Sequence, residues 1–197
     1  MSMALIALAD LGASAERLEE FDASHSGKLE PFPAQGTPVE RDEWRGAIGK
    51  PEALWGLAQM FEADIQERGR DTVLREALPA LLSGLGGAGF HCMIRTAYAL
   101  RVGDDPEVAY GLAYWGTRAA QLGAIRSKSG TERDPYVLLE LARASSALAN
   151  QSFAGGLIVD DMGRAAALPG FEPIVDSLEL NDDSLDGLAL AMLDLYA

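Results

Sequence analysis

The side chains that could do chemistry gather in AGFHCMIRTAYAL, residues 88 to 100. Arg95 is the only certainly charged residue there, so the segment reads as a helix that is apolar almost all round and belongs in a core. At about 100° per residue, His91, Arg95 and Tyr98 fall within a sector of about 60°, a polar stripe along that helix. The next helix carries a second stripe: Tyr110, Tyr114, Thr117, Arg118 and Gln121 share one side, and Val108, Leu112, Trp115 and Ala119 the other. Buried polar groups need partners or a cavity. The stripes therefore either bond to one another and fill the interior, or face each other across a pocket. In a pocket, His91 serves as the acid or base and Arg95 stabilises developing oxyanion charge, while Tyr98, Tyr110, Tyr114, Trp115 and Arg118 line an aromatic slot.

Other reactive residue types carry less. Cys92 and His91 are neighbours, and neighbours on a helix diverge by about 100°, so they make no nucleophile–base pair and Cys92 reads as a small core residue. His25, in DASHSGKL, sits among short polar residues near a helix end and is expected in solvent without a role. Two histidines and one cysteine cannot build a three-imidazole or cysteine-cluster site in one chain, and neither histidine has a glutamate three residues before it, so no metal is expected. Asp160 and Asp161 lack a third aspartate at a magnesium-binding spacing and read as a cap or a solvated turn. The stretch NDDSLDG, 181 to 187, starts like a calcium loop, but its twelfth position is Leu193 where a bidentate glutamate is needed; a helix cap before Leu185 fits better. Gly84, Gly86 and Gly89 match the dinucleotide-binding glycine pattern, with Asp104 or Asp105 at a suitable distance for a ribose. That pattern needs a strand before it, and ALPALLS has no β-branched residue. A glycine-rich helix start that permits close packing is the better reading, with bare amides that would favour an anion.

These residues need helices to position them. Apolar residues recur at three and four rather than two along most of the chain. Leu54, Ala58, Phe61 and Ile65 share one face of a helix from about Pro51 to Arg68, with Pro51 suited to the first turn and Gly69 to the stop. Further helices are predicted over 3–10, 15–24, 71–82, 88–102, 106–122, 135–150 and 185–196, the one at 135 opened by Asp134 and Pro135. Residues 28–50 hold three prolines and three glycines and read as a wandering surface segment or the entrance to a cleft, one that carries Trp44 inward. The only strand signal is Gly155 to Val159, and one short strand has nothing to pair with. The polar stretch 123–133 reads as a loop between a first helical body and the rest. The expected fold is all-α, an irregular multi-helix bundle. Its organisation is a helical core domain over 1–122 carrying the stripes, with 123–197 a helical C-terminal extension packed on it, or the whole as a single domain. The closing run Leu188, Leu190, Met192, Leu193, Leu195, Tyr196 is apolar on much of its surface and needs covering by its own core, by further chain or by another subunit, so a homo-oligomer is expected.

Composition narrows the function classes. With 197 residues, 48% hydrophobic and 23% charged, the chain is neither disordered nor fibrous. Thirty acidic against 16 basic side chains give a net charge of −14, which repels phosphate backbones and anionic headgroups, so neither nucleic acid nor a membrane is an expected partner. A single cysteine makes no internal disulfide, no apolar window reaches membrane-spanning length, and MSMALIALADLG lacks the basic flank of a signal peptide; the cytoplasm is the expected compartment.

At GAGFHCMIRTAYALRVGDDPEVAYGLAYW, residues 87 to 115, the chain resembles the questin oxidase-like family: a glycine- or alanine-rich lead, a histidine, a short apolar pair, Ile-Arg, Ala-x-Ala-Leu, then a helix ending in Ala-Tyr-Trp. The opening residues MALIALADLGASAERLEEFDASHSGKLEP and the region EWRGAIGKPEALWGLAQMFEADI are similar to that family too, so the likeness covers about residues 3–122. The resemblance implies a mostly helical oxidoreductase of polycyclic aromatic polyketide metabolism, opening an anthraquinone ring by a Baeyer–Villiger-type oxygen insertion with NADPH and dioxygen. By motif match it points to His91, Arg95 and Trp115 as site residues, and to a small aromatic molecule as the partner. The other class open to the same residues is a noncatalytic helical module that binds a ligand or a partner.

Overall fold

The structure, a computed structural model, describes residues 2–29, 31–122, 130–148, 151, 156–179 and 181–194. Among these there are ten α-helices and no strand, so the all-α expectation holds. The chain divides into two compact units, Met1–Gln121 and Leu122–Ala197.

The first unit holds α1 (Ser2–Asp10), α2 (Ala15–His25), α3 (Leu54–Arg68), α4 (Arg70–Leu81), α5 (His91–Val102) and α6 (Asp105–Arg118). Its core is built on α3, α4 and α6, where Leu57, Phe61, Val73, Leu81, Val108, Leu112 and Trp115 are all but sealed from solvent. Small residues set how closely the helices approach. A Cβ on Gly116 would sit 3.3 Å from Leu57, and one on Gly111 would sit 2.8 Å from the Thr96 hydroxyl, so α6 packs on α3 and α5 with almost no side chain at those points. Gly103 ends α5 in the left-handed conformation at φ +73°, and Asp104 then caps α6 by accepting the Glu107 amide at 3.0 Å, with Pro106 in the first turn. That short turn makes α5 and α6 antiparallel neighbours: Cys92 meets Tyr114 near one end and Arg95 meets Glu107 towards the other.

Residues 31–43 form no helix and run as a strap against α3. Two glycines make the contact possible: a Cβ on Gly36 would come within 2.8 Å of Trp55, and one on Gly56 within 2.2 Å of the Thr37 carbonyl. Arg41 fastens the strap by pairing with Asp64 at 2.6 Å and with Glu67. Asp64 is buried yet satisfied, because Arg68 also grips it through Nε at 2.7 Å, and Arg68 pairs in turn with Glu76 at 2.8 Å. Past the strap, Trp44 packs edge-on against Phe61 with ring centroids 5.4 Å apart, the inward tryptophan that the sequence predicts.

The second unit holds α7 (Pro135–Ala144), α8 (Ile158–Ala166), α9 (Phe171–Val175) and α10 (Asp182–Asp194). Asp134 caps α7 by accepting the Tyr136 amide at 3.0 Å, as the Asp–Pro pair predicts. The strand signal fails where it can be read: Ile158 and Val159 open α8, with Asp160 and Asp161 in its first turn and Asp161 paired with Arg164 at 2.7 Å. Ile158, Val159 and Met162 share one side of that helix, a spacing that alternation over five residues conceals. The last helix starts earlier than predicted. Asn181 accepts the Ser184 amide at 2.8 Å and the Ser184 hydroxyl accepts the Asn181 amide at 3.0 Å, a reciprocal cap that places Asp182 and Asp183 inside the helix. Most of the loop predicted over 123–133, together with Gly155, Leu195 and Tyr196, lies outside the described residues.

Candidate functional site

The first unit carries a cleft of about 870 Å³. Helices α5 and α6 supply one wall through His91, Arg95, Glu107, Tyr110, Tyr114 and Arg118, and the strap supplies the opposite wall through Pro31, Phe32 and Pro33. Leu54 at the start of α3 and Met3 of α1 close its apolar end. The two polar stripes do not face each other across the cavity: parts of both line the same wall, and Arg95 of the first bonds within that wall to a residue that belongs to neither stripe.

The bond is between Arg95 and Glu107, at 2.9 Å, with both side chains largely shielded from solvent. The Arg95 guanidinium also lies over the Tyr110 ring, 4.0 Å from its centroid, and its Nε has no hydrogen-bond acceptor among the described residues. Phe32 of the strap packs on the same tyrosine with ring centroids 5.1 Å apart. A flat apolar edge from the strap and a charged, aromatic face from the helices therefore meet at Tyr110. Sequence reasoning missed Glu107. The signal was present, since Glu107, Tyr110, Tyr114 and Arg118 recur at three and four along one side of α6.

His91 opens α5 at the rim of the cleft and is exposed, where an apolar helix predicts burial. Only one side of α5 is covered, by α6, with α1 against another part of its surface; Met93 and Val102 face outwards as well. The histidine Nδ1 donates to the Ala88 carbonyl at 2.7 Å, and a carbonyl only accepts, so the neutral ring keeps its proton on Nδ1 and presents Nε2 as a base. The turn that delivers it is left-handed at three successive residues, Ala88, Gly89 and Phe90, with φ between +49° and +67°. Such a run is costly for residues bearing a Cβ and persists where the surroundings fix it. Here Gly86 donates to the Ala120 carbonyl at 3.0 Å, and Gly84 and Gly87 approach Ala119 and the Arg118 carbonyl too closely for any side chain. The glycines are packing devices, as the missing strand argues.

Two expected site residues stand elsewhere. Trp115 is 2% exposed, part of the core and no part of the cleft lining, because it lies on the side of α6 that faces α3. Tyr98 is nearly two turns beyond His91 and borders a separate depression with Asp10 and Arg101, which pair at 2.7 Å. Thr117 is buried, its hydroxyl donating to the Tyr114 carbonyl at 3.1 Å, and Gln121 is exposed past the end of α6. Cys92 is sealed beneath the site with its thiol directed at the Tyr114 carbonyl, and burial pushes that thiol up to about 12, so it is no nucleophile. Burial also raises the Tyr114 phenol, keeping it a hydrogen-bond donor at neutral pH. His25 stacks on Phe21 at the end of α2, away from the cleft.

The turn does not fit NADPH as a pyrophosphate cradle. The amides of Gly86, Gly87, Gly89 and His91 are already bonded to protein carbonyls, and the strand that such a motif requires is absent among the described residues. Nor do three His, Cys, Asp or Glu side chains cluster closely enough among the described residues to hold a metal ion.

A family model described as questin oxidase-like matches residues 1–164. No curated protein and no solved structure matches the chain.

Proposed function

The chain belongs to the questin oxidase-like family, and from that premise we propose that it is an oxidoreductase inserting oxygen beside the carbonyl of a flat polycyclic aromatic ketone or quinone. One observation carries the reading: the cleft places an aromatic face, a histidine with a bare Nε2 and a shielded guanidinium on one wall, opposite an apolar strap. In the reaction that the family implies, one atom of dioxygen enters the ring and the other leaves as water, with a hydride drawn from a reduced nicotinamide and one proton from solvent. No residue here is assigned to hold that donor. The roles proposed for the chain's own groups are positional and acid–base. The ring system lies in the cleft against the Phe32–Tyr110 pair, His91 Nε2 takes the proton of a ring hydroxyl, and the Arg95 guanidinium charge stabilises the carbonyl oxygen while Glu107 fixes its orientation.

The Arg95–Glu107 pair favours a second reading, a noncatalytic module for aromatic ligands, because it already neutralises the charge an oxyanion would use. Turnover separates the two. A hydroxylated anthraquinone should raise the melting temperature, by roughly 2.7 kcal/mol of stabilisation at a hundred times its dissociation constant. Supplied with dioxygen and NADPH, the enzyme should release a product heavier by one oxygen atom, detected by mass spectrometry, whereas a binding module shows the thermal shift alone. Arg95→Met should abolish the shift at a folding cost of about 1 to 2 kcal/mol, since its partner is only partly buried. No shift with the parent protein would sink both readings of the cleft.

A further inference from the structure

Resting on the reading of the cleft as an aromatic-ketone site, we propose that Arg118 selects ligands whose ring system carries a carboxylate. Among the described residues, the cleft lining holds two guanidinium groups, Arg95 and Arg118, against one carboxylate, Glu107, whereas the chain as a whole bears −14. Long-range repulsion from the rest of the molecule works against any anionic ligand, so a local cation is needed if one is to bind. Arg95 does not fill that role, because Glu107 meets it at 2.9 Å. Arg118 has no carboxylate within ion-pair distance among the described residues, and it lies one helical turn beyond Tyr114 on the cleft side of α6. It is the last residue of that helix, where the terminal carbonyls hold a cation without needing an acidic partner. Its charge is felt inside the site, favouring the ionised forms of Cys92 and Tyr114 against the larger effect of burial.

A carboxylate suits this group better than a phenolate. Its two oxygens match the planar guanidinium fork, and it is ionised throughout the neutral range. A ring system lying in the cleft against the Phe32–Tyr110 pair can extend along α6 past Tyr114, which brings a terminal substituent to the exposed Arg118. In this arrangement His91 and Arg95 handle the ketone, and Arg118 sets which end of the ligand enters first.

The test compares an anthraquinone carboxylate with its carboxamide, a neutral group of the same shape, by quenching of the native tryptophan emission. The parent protein should bind the carboxylate about fivefold more tightly, the upper range for an ion pair in contact with water, with the margin shrinking as salt is added. Arg118→Gln should erase the preference while leaving carboxamide affinity within about twofold, and Arg118→Lys should restore part of it. Equal binding of the two probes by the parent, a preference that survives Arg118→Gln, or an equal loss for both probes in a variant that melts normally would each overturn the assignment. Binding of neither probe by the parent would overturn the aromatic-ketone reading beneath it, a different failure from loss of charge preference alone.

Discussion

Cys92 shows how burial alone fixes the chemistry of one residue. Set beside a histidine in the sequence, it looks reactive; in the fold it is sealed between α5 and α6 and its ionisation is pushed up to about 12. The consequence for stability has a definite sign. Below the ordinary thiol value near 9.0 both folded and unfolded chains keep the proton, and above it the unfolded chain ionises while the folded one does not. Stability should therefore fall as pH rises from about 9 towards 12, with the raised Tyr114 phenol adding to the same trend. Denaturant unfolding at stepped pH should show a shallower alkaline decline in Cys92→Ala than in the parent. An identical slope in the two proteins would mean that the thiol is not desolvated as described.

At the scale of elements, the wall opposite the helices is held by the absence of side chains. Gly56 lies in the first turn of α3, and the Thr37 carbonyl of the strap occupies the space its Cβ would take. Gly56→Ala should lift the strap and cost about 2 kcal/mol or more, although alanine is the better helix former. Gly163, inside α8 with open space around it, sets the opposite sign: Gly163→Ala should stabilise by about 0.5 to 1 kcal/mol. Chemical denaturation of the two variants checks the pair. A neutral Gly56→Ala would show that the strap is not pinned at Thr37, and the cleft would lose its fixed second wall. Asp64 completes the fastening, since one buried carboxylate ties the strap, through Arg41, to the end of α3, through Arg68.

For the whole molecule, the second unit leaves large apolar side chains exposed. Leu190 is 60% and Leu193 66% exposed on α10, and Leu141 and Tyr136 of α7 are also open to solvent. Among the described residues no helix is long and apolar enough to cross a membrane. The expectation carried from the sequence is a second copy of the chain over this surface, for which a stable contact takes about 800 Å² from each partner. Light scattering at tens of micromolar should then give about twice the monomer mass, and Leu190→Asp with Leu193→Asp should return it to one. A monomeric parent at that concentration would remove self-association from the account.

What the sequence determined by itself is local. The helices of the first unit, the cap at Asp134, the all-α class and the two polar stripes follow from spacing at three and four and from short-range capping chemistry, which neighbours along the chain decide, whereas α8 and α9 escaped that reading. Tertiary structure decided what those stripes do. Arg95 meets Glu107 because α5 and α6 run antiparallel in a register set by Gly111 against Thr96, a contact no periodicity predicts. Trp115 lies in the core because it stands on the side of α6 away from the stripe, and Tyr98 passed beyond the cleft, since a stripe fixes an angle around the helix and says nothing of how far along it a neighbour extends. The strap wall and the buried Asp64 network join residues far apart in sequence, and only the folded chain brings such groups within hydrogen-bonding reach.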